Sequence, residues 1–382
     1  MEQITRREWL ALSGLVLSSA CARRKGTGFP GYALVATSGE QSVGVVDLTQ
    51  FRPLRSIPVG APPTAVVAGG PGDSSYALTP ATGSIHIIDN NLRVIRSRRL
   101  AGELSEIRLT PDRKRLLAIS AQSHELIEAD SVSLDVIRRH RLGAAPISLD
   151  ISETGYVAVS TGSVGTAELF QLTNSARERR QFSGPIGPVR FRPDGKLLLV
   201  ANFHDRCLTA LEVPSLGVVA DLSLAMTPEN LCFTTDQGGQ LFVSGKGMDG
   251  IAIVFPYRTI EVEQTVLAGR DPGVMACSDN PRYLFVASNS GQDVSVMNVE
   301  NRRVIGIVDI AERPTYITIT PDSQYALILS EATGMLAVIR IPAIAQSPDA
   351  GYNFRRKAGA ALFTVVSVGD KPVHAAVMPR VT

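Results

Sequence analysis

The sequence predicts an all-β fold built from repeats, and three observations carry this prediction. Val, Ile and Thr recur in short runs that favour strands. The 33 glycines and 23 prolines separate these runs with frequent turns. A short sequence motif recurs about every 42 residues. It consists of a small residue, two variable residues, a proline and an apolar run. Four strands in this interval is the period of a propeller blade, so we expect a β-propeller.

The recurring motif begins each repeat, and its proline position can be followed along the chain. This position is held by Pro63, Ser105, Pro146, Pro188, Pro228, Pro272, Pro314 and Pro372. Successive positions lie 40 to 44 residues apart, except for the last interval of 58. The excess lies within residues 342–360, which we expect to be a loop inserted between the third and fourth strands of the last complete blade.

Within a repeat, a first strand such as residues 316–320 leads to a Pro-Asp turn and a second strand. A Gly-rich loop, a third strand and a more polar fourth strand follow. Proline presets φ and aspartate bonds its own backbone, so the repeated aspartates indicate turn chemistry rather than catalysis. These aspartates are Asp112, Asp194, Asp236, Asp279 and Asp322.

The second strands carry a family resemblance. Phe285-Val-Ala-Ser-Asn289 and Leu199-Val-Ala-Asn202 are similar to the YVTN-type β-propeller repeat. The resemblance covers about 350 residues and implies the fold. It implies little about function, because propellers host many activities. Seven-bladed lactonase-like propellers resemble these repeats as well, so the resemblance also allows a hydrolase.

The number of blades follows from counting strands. Eight proline positions begin eight first strands, and eight second strands are also present. Residues 31–59 supply only second, third and fourth strands, whereas residues 372–377 supply only a first strand. Pairing of the two chain ends would complete one shared blade and remove an exposed edge. We therefore expect eight blades, with seven, the common number in the resembling family, as the alternative.

The N-terminus predicts export. Arg6 and Arg7 resemble a twin-arginine signature, and the apolar run after them is too short to span a bilayer. Ser18-Ser19-Ala20-Cys21 resembles a lipobox, which predicts lipidation of Cys21; simple cleavage after Ala20 is the alternative. We expect a signal peptide (1–21), a linker (22–30) and a single propeller domain (31–382). The expected location is the periplasm or cell envelope as a lipoprotein, with anchoring in the outer membrane.

Composition narrows the possible cofactors and partners. The net charge of +2 selects neither nucleic acid nor membrane as a partner. We expect no cofactor and no metal site, because the five histidines are scattered and no CxxC spacing is present. Besides Cys21 the cysteines are Cys207, Cys232 and Cys277. We interpret these three as buried strand residues; a disulfide between two of them is the alternative.

A ligand site is expected where loops converge around the central channel. In propellers, the loops from fourth to first strands and from second to third strands share one face. Polar residues that differ from copy to copy lie beside the proline positions. The candidate ligand-binding residues are Glu106, Arg190, Glu229, Asn230, Arg270, Arg313, Tyr316 and His374. The alternative is that they form a solvated rim of loops.

The sequence is compatible with two functions. The first is a non-enzymatic binding or scaffold protein of the cell envelope, a monomeric domain that contacts a protein, a peptide or an envelope component. The second is a lactonase-like hydrolase at the mouth of the channel, for which Arg190, Glu229 and His374 are candidates. No strong catalytic motif is present, and the catalytic residues remain unassigned.

Three successive fourth strands are basic. Their arginines are Arg96, Arg98, Arg99, Arg138, Arg139, Arg141, Arg177, Arg179 and Arg180, here called the basic arc. Fourth strands form the outer edges of blades, so the arc would line one part of the rim. It predicts contact with an anionic surface, or alternatively protection of strand edges against aggregation. Few aromatic residues lie among these arginines, which argues against a nucleic-acid platform.

Overall fold

The structure is an eight-bladed β-propeller. The computed structural model describes residues 28–70, 72–174, 176–234, 239–257, 260–345 and 361–380. Every blade is an antiparallel sheet, and in seven blades the strands run in chain order from the channel outward; in the remaining blade, the last strand of the chain is innermost and strands from the start of the chain follow it. We number the closing blade, built from both chain ends, as blade 1 and the others as blades 2 to 8 along the chain. The prediction of eight blades is confirmed, and the alternative of seven is wrong.

The strands occupy equivalent places in all eight blades. The innermost strands, from blade 1 to blade 8, are Pro372–Pro379, Ala65–Val67, Glu106–Leu109, Ser148–Ile151, Ile186–Phe191, Thr227–Phe233, Pro272–Cys277 and Tyr316–Ile319. The second strands are Gly31–Thr37, Ser75–Thr79, Arg115–Ser120, Tyr156–Thr161, Leu197–Asn202, Leu241–Lys246, Tyr283–Ser288 and Tyr325–Ser330. The third strands are Ser42–Asp47, Ser84–Ile88, Glu125–Asp130, Thr166–Gln171, Cys207–Glu212, Gly250–Phe255, Asp293–Asn298 and Met335–Arg340. The outermost strands are Arg52–Pro53 with Ile57–Pro58, Val94–Arg99, Val136–Arg141, Arg177–Gln181, Val218–Ser223, Glu261–Leu267, Arg303–Asp309 and Leu362–Ser367.

The hydrophobic core lies between successive blades. Side chains of a strand alternate between its two faces. Leu116 and Ala118 therefore pack into the core between blades 2 and 3, whereas Leu117 and Ile119 pack into the core between blades 3 and 4. Both faces of the middle strands are buried, which explains why their sequences are nearly continuous apolar runs.

The two chain ends close the ring, as the strand count predicts. The strand Pro372–Pro379 pairs antiparallel with Gly31–Thr37, from Tyr32 opposite Met378 to Ala36 opposite His374. The innermost strands then contact one another in a closed circle, from blade 8 through blade 1 to blade 2. No edge of the second strand Gly31–Thr37 is left open, since it pairs on both sides.

The Pro-Asp turns join first to second strands by the predicted chemistry. In blade 3, Asp112 Oδ1 accepts hydrogen bonds from Thr110 Oγ1 at 2.6 Å and from the Lys114 amide at 3.1 Å. Blade 8 repeats this arrangement with Thr320 and Asp322. The hydrogen bond from Thr110, together with that from the Lys114 amide, holds the pKa of Asp112 below its usual value. Asp236 lies outside the described residues.

The long connection in blade 8 lies between its third and fourth strands, Met335–Arg340 and Leu362–Ser367. It begins with a short helix, α1 (Ile341–Ala345), rather than with irregular loop. Ile341 and Ile344 pack into the core between blades 7 and 8, so burial of two apolar side chains on one face fixes this turn of helix. The rest of the insertion, residues 346–360, is outside the described part of the chain.

A 3₁₀ turn, Pro80–Thr82, follows the second strand of blade 2. Among the described residues, no helix has both the length and the apolar character needed to cross a membrane.

Candidate functional site

Tyr316 and His374 form a pair on the wall of the central channel. They lie on the innermost strands of blades 8 and 1, at equal depth: Tyr316 pairs with Leu329 and His374 with Ala36. Their side chains are 3.1 Å apart between the Tyr316 hydroxyl and His374 Nε2, and their ring centroids are 4.4 Å apart. Among the described atoms, His374 Nδ1 is buried and has no hydrogen-bond partner.

Burial keeps both rings neutral. Desolvation lowers the pKa of His374 to about 4 and raises the pKa of Tyr316 to about 12. The positive charge of Arg108 lowers both pKa values and adds to the effect on His374. At neutral pH the pair therefore offers a neutral imidazole and a neutral phenol, which bind through hydrogen bonds rather than through charge.

A second polar cluster lines the channel on blades 3 to 5. Glu106 Oε1 accepts a hydrogen bond of 3.0 Å from Arg108 Nε and forms an ion pair of 2.8 Å with Arg108 Nη2. Its Oε2 accepts a hydrogen bond from the Leu149 amide of the next blade. Asp150 Oδ2 accepts a hydrogen bond of 2.7 Å from the Phe191 amide. These bonds tie neighbouring innermost strands together across the blade boundaries.

Asp150 and Arg190 are only loosely paired. The distance from Arg190 Nη1 to Asp150 Oδ1 is 3.8 Å, and the same Nη1 donates to the Val189 carbonyl at 3.0 Å. Burial raises the pKa of Asp150, and the nearby arginine charge only partly opposes it. Since this long ion pair does not offset desolvation, a bound cation or hydroxyl group would stabilise the Asp150 carboxylate further.

The remaining candidates separate into two places. Glu229 forms an ion pair of 2.8 Å with Lys246, and Asn230 donates to Ser244 Oγ at 3.2 Å, both within blade 6. Arg270 and Arg313 are exposed and lie just before the first strands of blades 7 and 8. Of the eight predicted residues, the structure therefore brings Tyr316 and His374 together and distributes the others around the ring.

A polar groove lies on the predicted face, between blades 7 and 8. It has a volume of about 700 Å³. Its walls come from the loop before the first strand of blade 7, the loop between its second and third strands, and the loop before blade 8. The lining residues are Asp271, Asn289, Ser290, Gly291, Gln292 and Arg313.

Hydrogen bonds hold the wall of this groove in place. The Asn289 amide donates to the Asp271 carbonyl at 3.0 Å, and the Asp271 amide donates to Asp249 Oδ1 at 2.8 Å. The Asp271 backbone has φ +47°, a left-handed conformation that aspartate tolerates better than most residues. The Asp271 backbone, which carries the carboxylate, is therefore held by bonds within its own blade and to blade 6.

Sequence reasoning missed Arg108, Asp150 and the groove loop of residues 289–292. It considered only residues beside the proline positions, whereas Arg108 and Asp150 lie deeper in their strands. The available signal is that both are charged residues flanked by apolar residues within their first strands. A charged residue in such a strand requires a partner or a channel to face.

The basic arc spans three successive blades, but carboxylates neutralise part of it. Arg98 pairs with Asp135 of the next blade, Arg139 with Glu125 at 3.0 Å, and Arg177 with the buried Glu168. Arg180 is half-buried and lines a smaller cavity of about 340 Å³ between blades 4 and 5. Pairing with carboxylates therefore reduces the cationic character of this rim.

Comparisons with known proteins agree with the fold. Models of known protein families give no match. The "Seven-bladed beta-propeller protein Rv1057" of Mycobacterium tuberculosis is 25% identical over 140 residues, which cover 34% of this chain and 34% of that protein. The chain thus matches about a third of the length of this curated relative.

Solved structures resemble the chain over most of its length. "Dihydro-heme d1 dehydrogenase NirN in complex with DHE" matches with a TM-score of 0.72 and 15% identity, over 86% of this chain and 75% of that one. A functionally unknown protein from Desulfotomaculum acetoxidans DSM 771 matches with a TM-score of 0.61 and 13% identity, over 81% of this chain and 100% of that one. Likeness at this identity concerns the fold alone. The chain is a β-propeller, and its function has to be argued from its own side chains.

Proposed function

We propose that this protein is an exported, lipid-anchored β-propeller that binds a partner protein or peptide on the face bearing the groove between blades 7 and 8. The observation that carries the proposal is the groove itself. It lies where outer-to-inner loops and second-to-third-strand loops converge, and polar side chains that depart from the repeat line it.

The chemistry of the groove favours a peptide. Asn289 and Gln292 offer amide donors and acceptors, Ser290 a hydroxyl, Asp271 a carboxylate and Arg313 a guanidinium. Such a mixed set can hydrogen-bond the alternating amides and carbonyls of an extended chain. The charges of Asp271 and Arg313 can select the direction in which that chain lies.

Export and anchoring complete the proposal. Arg6, Arg7 and Cys21 lie outside the described residues, and their roles rest on the sequence resemblance alone. An anchored domain benefits from a binding face on loops, because the rigid ring positions those loops. The periplasm or cell envelope, with an outer-membrane anchor, remains the proposed location.

Hydrolysis is the second candidate, and the Tyr316–His374 pair is the observation in its favour. A neutral imidazole beside a phenol resembles a proton-transfer pair. However, a pKa of about 4 makes His374 a weak base at neutral pH, since general bases work best when their pKa lies near the operating pH. Glu229 and Arg190 interact with Lys246 and Asp150, which also favours binding over catalysis.

Site-specific photo-crosslinking tests the binding proposal. A photoreactive amino acid replaces Ser290, an exposed residue of the groove, in cells that make the full chain. We expect one defined adduct with a partner. Substituting Arg313→Ala in the same chain should reduce its yield.

The matched control places the same amino acid at Lys114, an exposed turn residue between first and second strands on the opposite face. Equal adducts at Ser290 and Lys114, or no adduct at Ser290, would contradict the binding proposal. Hydrolysis is tested separately by ring opening of lactones with the purified chain. Activity that is lost in His374→Gln would establish the second candidate instead.

A further inference from the structure

Two cysteines meet on the channel wall between blades 6 and 7. Cys232 lies on the innermost strand Thr227–Phe233, and Cys277 ends the innermost strand Pro272–Cys277. Their Sγ atoms are 3.7 Å apart. The two strands contact each other directly, so the proximity comes from packing of adjacent blades and not from a mobile loop.

The surroundings of the pair restrain it. Cys232 pairs in register with Phe242 and Cys277 with Leu284, both fully buried core residues. Both cysteines pack against the core between blades 6 and 7 and remain half-buried. Packing against this core therefore restrains both cysteines, although neither residue is fully buried.

We propose that Cys232 and Cys277 are an oxidation site that forms a disulfide between blades 6 and 7. A disulfide has an S–S distance of about 2.05 Å. The two Sγ atoms, now 3.7 Å apart, must therefore move closer together to form the bond. The residues are 45 positions apart in the chain, and the bond would therefore close a loop the length of one blade.

The oxidant is a disulfide compound such as oxidised glutathione. One cysteine thiolate attacks a glutathione sulfur, which gives a mixed disulfide and releases one glutathione thiolate. The second cysteine thiolate then attacks the protein sulfur of the mixed disulfide and releases the other glutathione thiolate. Two protons leave the cysteines, two electrons pass to glutathione, and one S–S bond replaces another.

Cys207 provides an internal comparison. It lies on the third strand of blade 5, is buried, and contacts Thr209 Oγ1 at 3.7 Å. Burial raises the pKa of the Cys207 thiol, which leaves less of the reactive thiolate. The same oxidant should therefore leave Cys207 reduced.

Intact mass and peptide mapping test the proposal on the full chain carrying Cys21→Ala. Incubation with oxidised glutathione should lower the mass by about 2 Da, because two hydrogens are lost. Thiol titration in denaturant should then find one reactive cysteine instead of three. Digestion should give one cross-linked peptide containing Cys232 and Cys277, and dithiothreitol should reverse the change.

The control variant is Cys207→Ser, in which the same cross-link should form. In Cys232→Ser the loss of two hydrogens should be absent, with glutathione attached to Cys277 instead. Three reactive thiols after oxidation, two separate glutathione adducts on the unmodified pair, or a cross-link that includes Cys207 would each overturn the proposal. The mapping uses the unaltered pair, so the result does not depend on the folding of Cys232→Ser.

Discussion

His374 makes the stability of the propeller depend on pH in a calculable way. The perturbation is His374→Gln, which keeps a polar side chain of similar size but removes the titration. In the folded protein burial lowers the pKa of His374 to about 4, against 6.5 for an exposed histidine. The unfolded chain therefore takes up this proton at a higher pH than the folded chain, and folding opposes protonation.

The magnitude follows from these two pKa values. As the pH falls below 6.5 the unfolded state gains more protons, so the stability decreases. Linkage between 6.5 and about 4 gives a loss of about 2 kcal/mol from pH 7 to pH 5, and of about 3 kcal/mol once both states are protonated. This is a considerable part of a typical net stability of about 5–15 kcal/mol.

Other titrating groups either change the stability outside the range from pH 7 to pH 5, or contribute equally to the parent and to His374→Gln and so cancel in the difference between them. The carboxyls with lowered pKa values, such as Glu128, lose their stabilising contribution only below the ordinary carboxyl range. Asp150 has the opposite sign, because its raised pKa favours the folded state as the pH falls. It is present in both the parent and the variant, so the difference between them isolates His374.

The assay is reversible urea unfolding at pH 7, 6 and 5. The parent should lose about 2 kcal/mol more than His374→Gln between pH 7 and 5. His204→Gln is the matched control, since His204 is exposed in a loop of blade 5 and should leave the pH dependence of the parent unchanged. Parallel curves for the parent and His374→Gln would refute the assignment of a buried, neutral His374.

Four further outcomes test other parts of the molecule. Deleting the residues from 372 onward should expose the paired edge of Gly31–Thr37 and yield an aggregating protein with a lower melting temperature; an unchanged monomer would contradict closure by the chain ends. Replacing residues 346–357 with a short Gly-Ser link should leave the melting temperature within a few degrees, whereas collapse would make the insertion structural. Cys21→Ala should lose metabolic labelling by a fatty acid, and Arg6→Lys with Arg7→Lys should block export; equal labelling or normal export would disprove these roles. The unlipidated domain should bind anionic vesicles in a salt-sensitive manner, and changing Arg96, Arg141 and Arg179 of the basic arc to glutamine should weaken this binding by about 1 kcal/mol per arginine. Binding that does not depend on salt, or that the three changes do not weaken, would leave protection of strand edges as the role of the arc.

The sequence determined the fold because the fold is a local pattern repeated. Each blade except the closing one completes its hydrogen-bond ladder within about 42 residues. Pro-Asp turns such as Thr110-Pro111-Asp112 bond within themselves. Strand pattern and turn chemistry are visible in one short segment, and they recur along the chain. Even closure followed from counting, because the strand missing at one end of the chain is present at the other.

The site was beyond this reasoning, because its members come from different blades. Tyr316 and His374 are 58 residues apart in sequence and share a hydrogen bond only because blade 8 lies next to blade 1. Whether neighbouring strands turn two side chains towards each other depends on twist, bulges and rotamers, which the period of a repeat does not encode. The pKa values follow from the same cause, since desolvation of His374 and Asp150 requires the whole ring to surround them. Local sequence thus specified each blade, and only the closed ring decided which side chains meet between neighbouring blades.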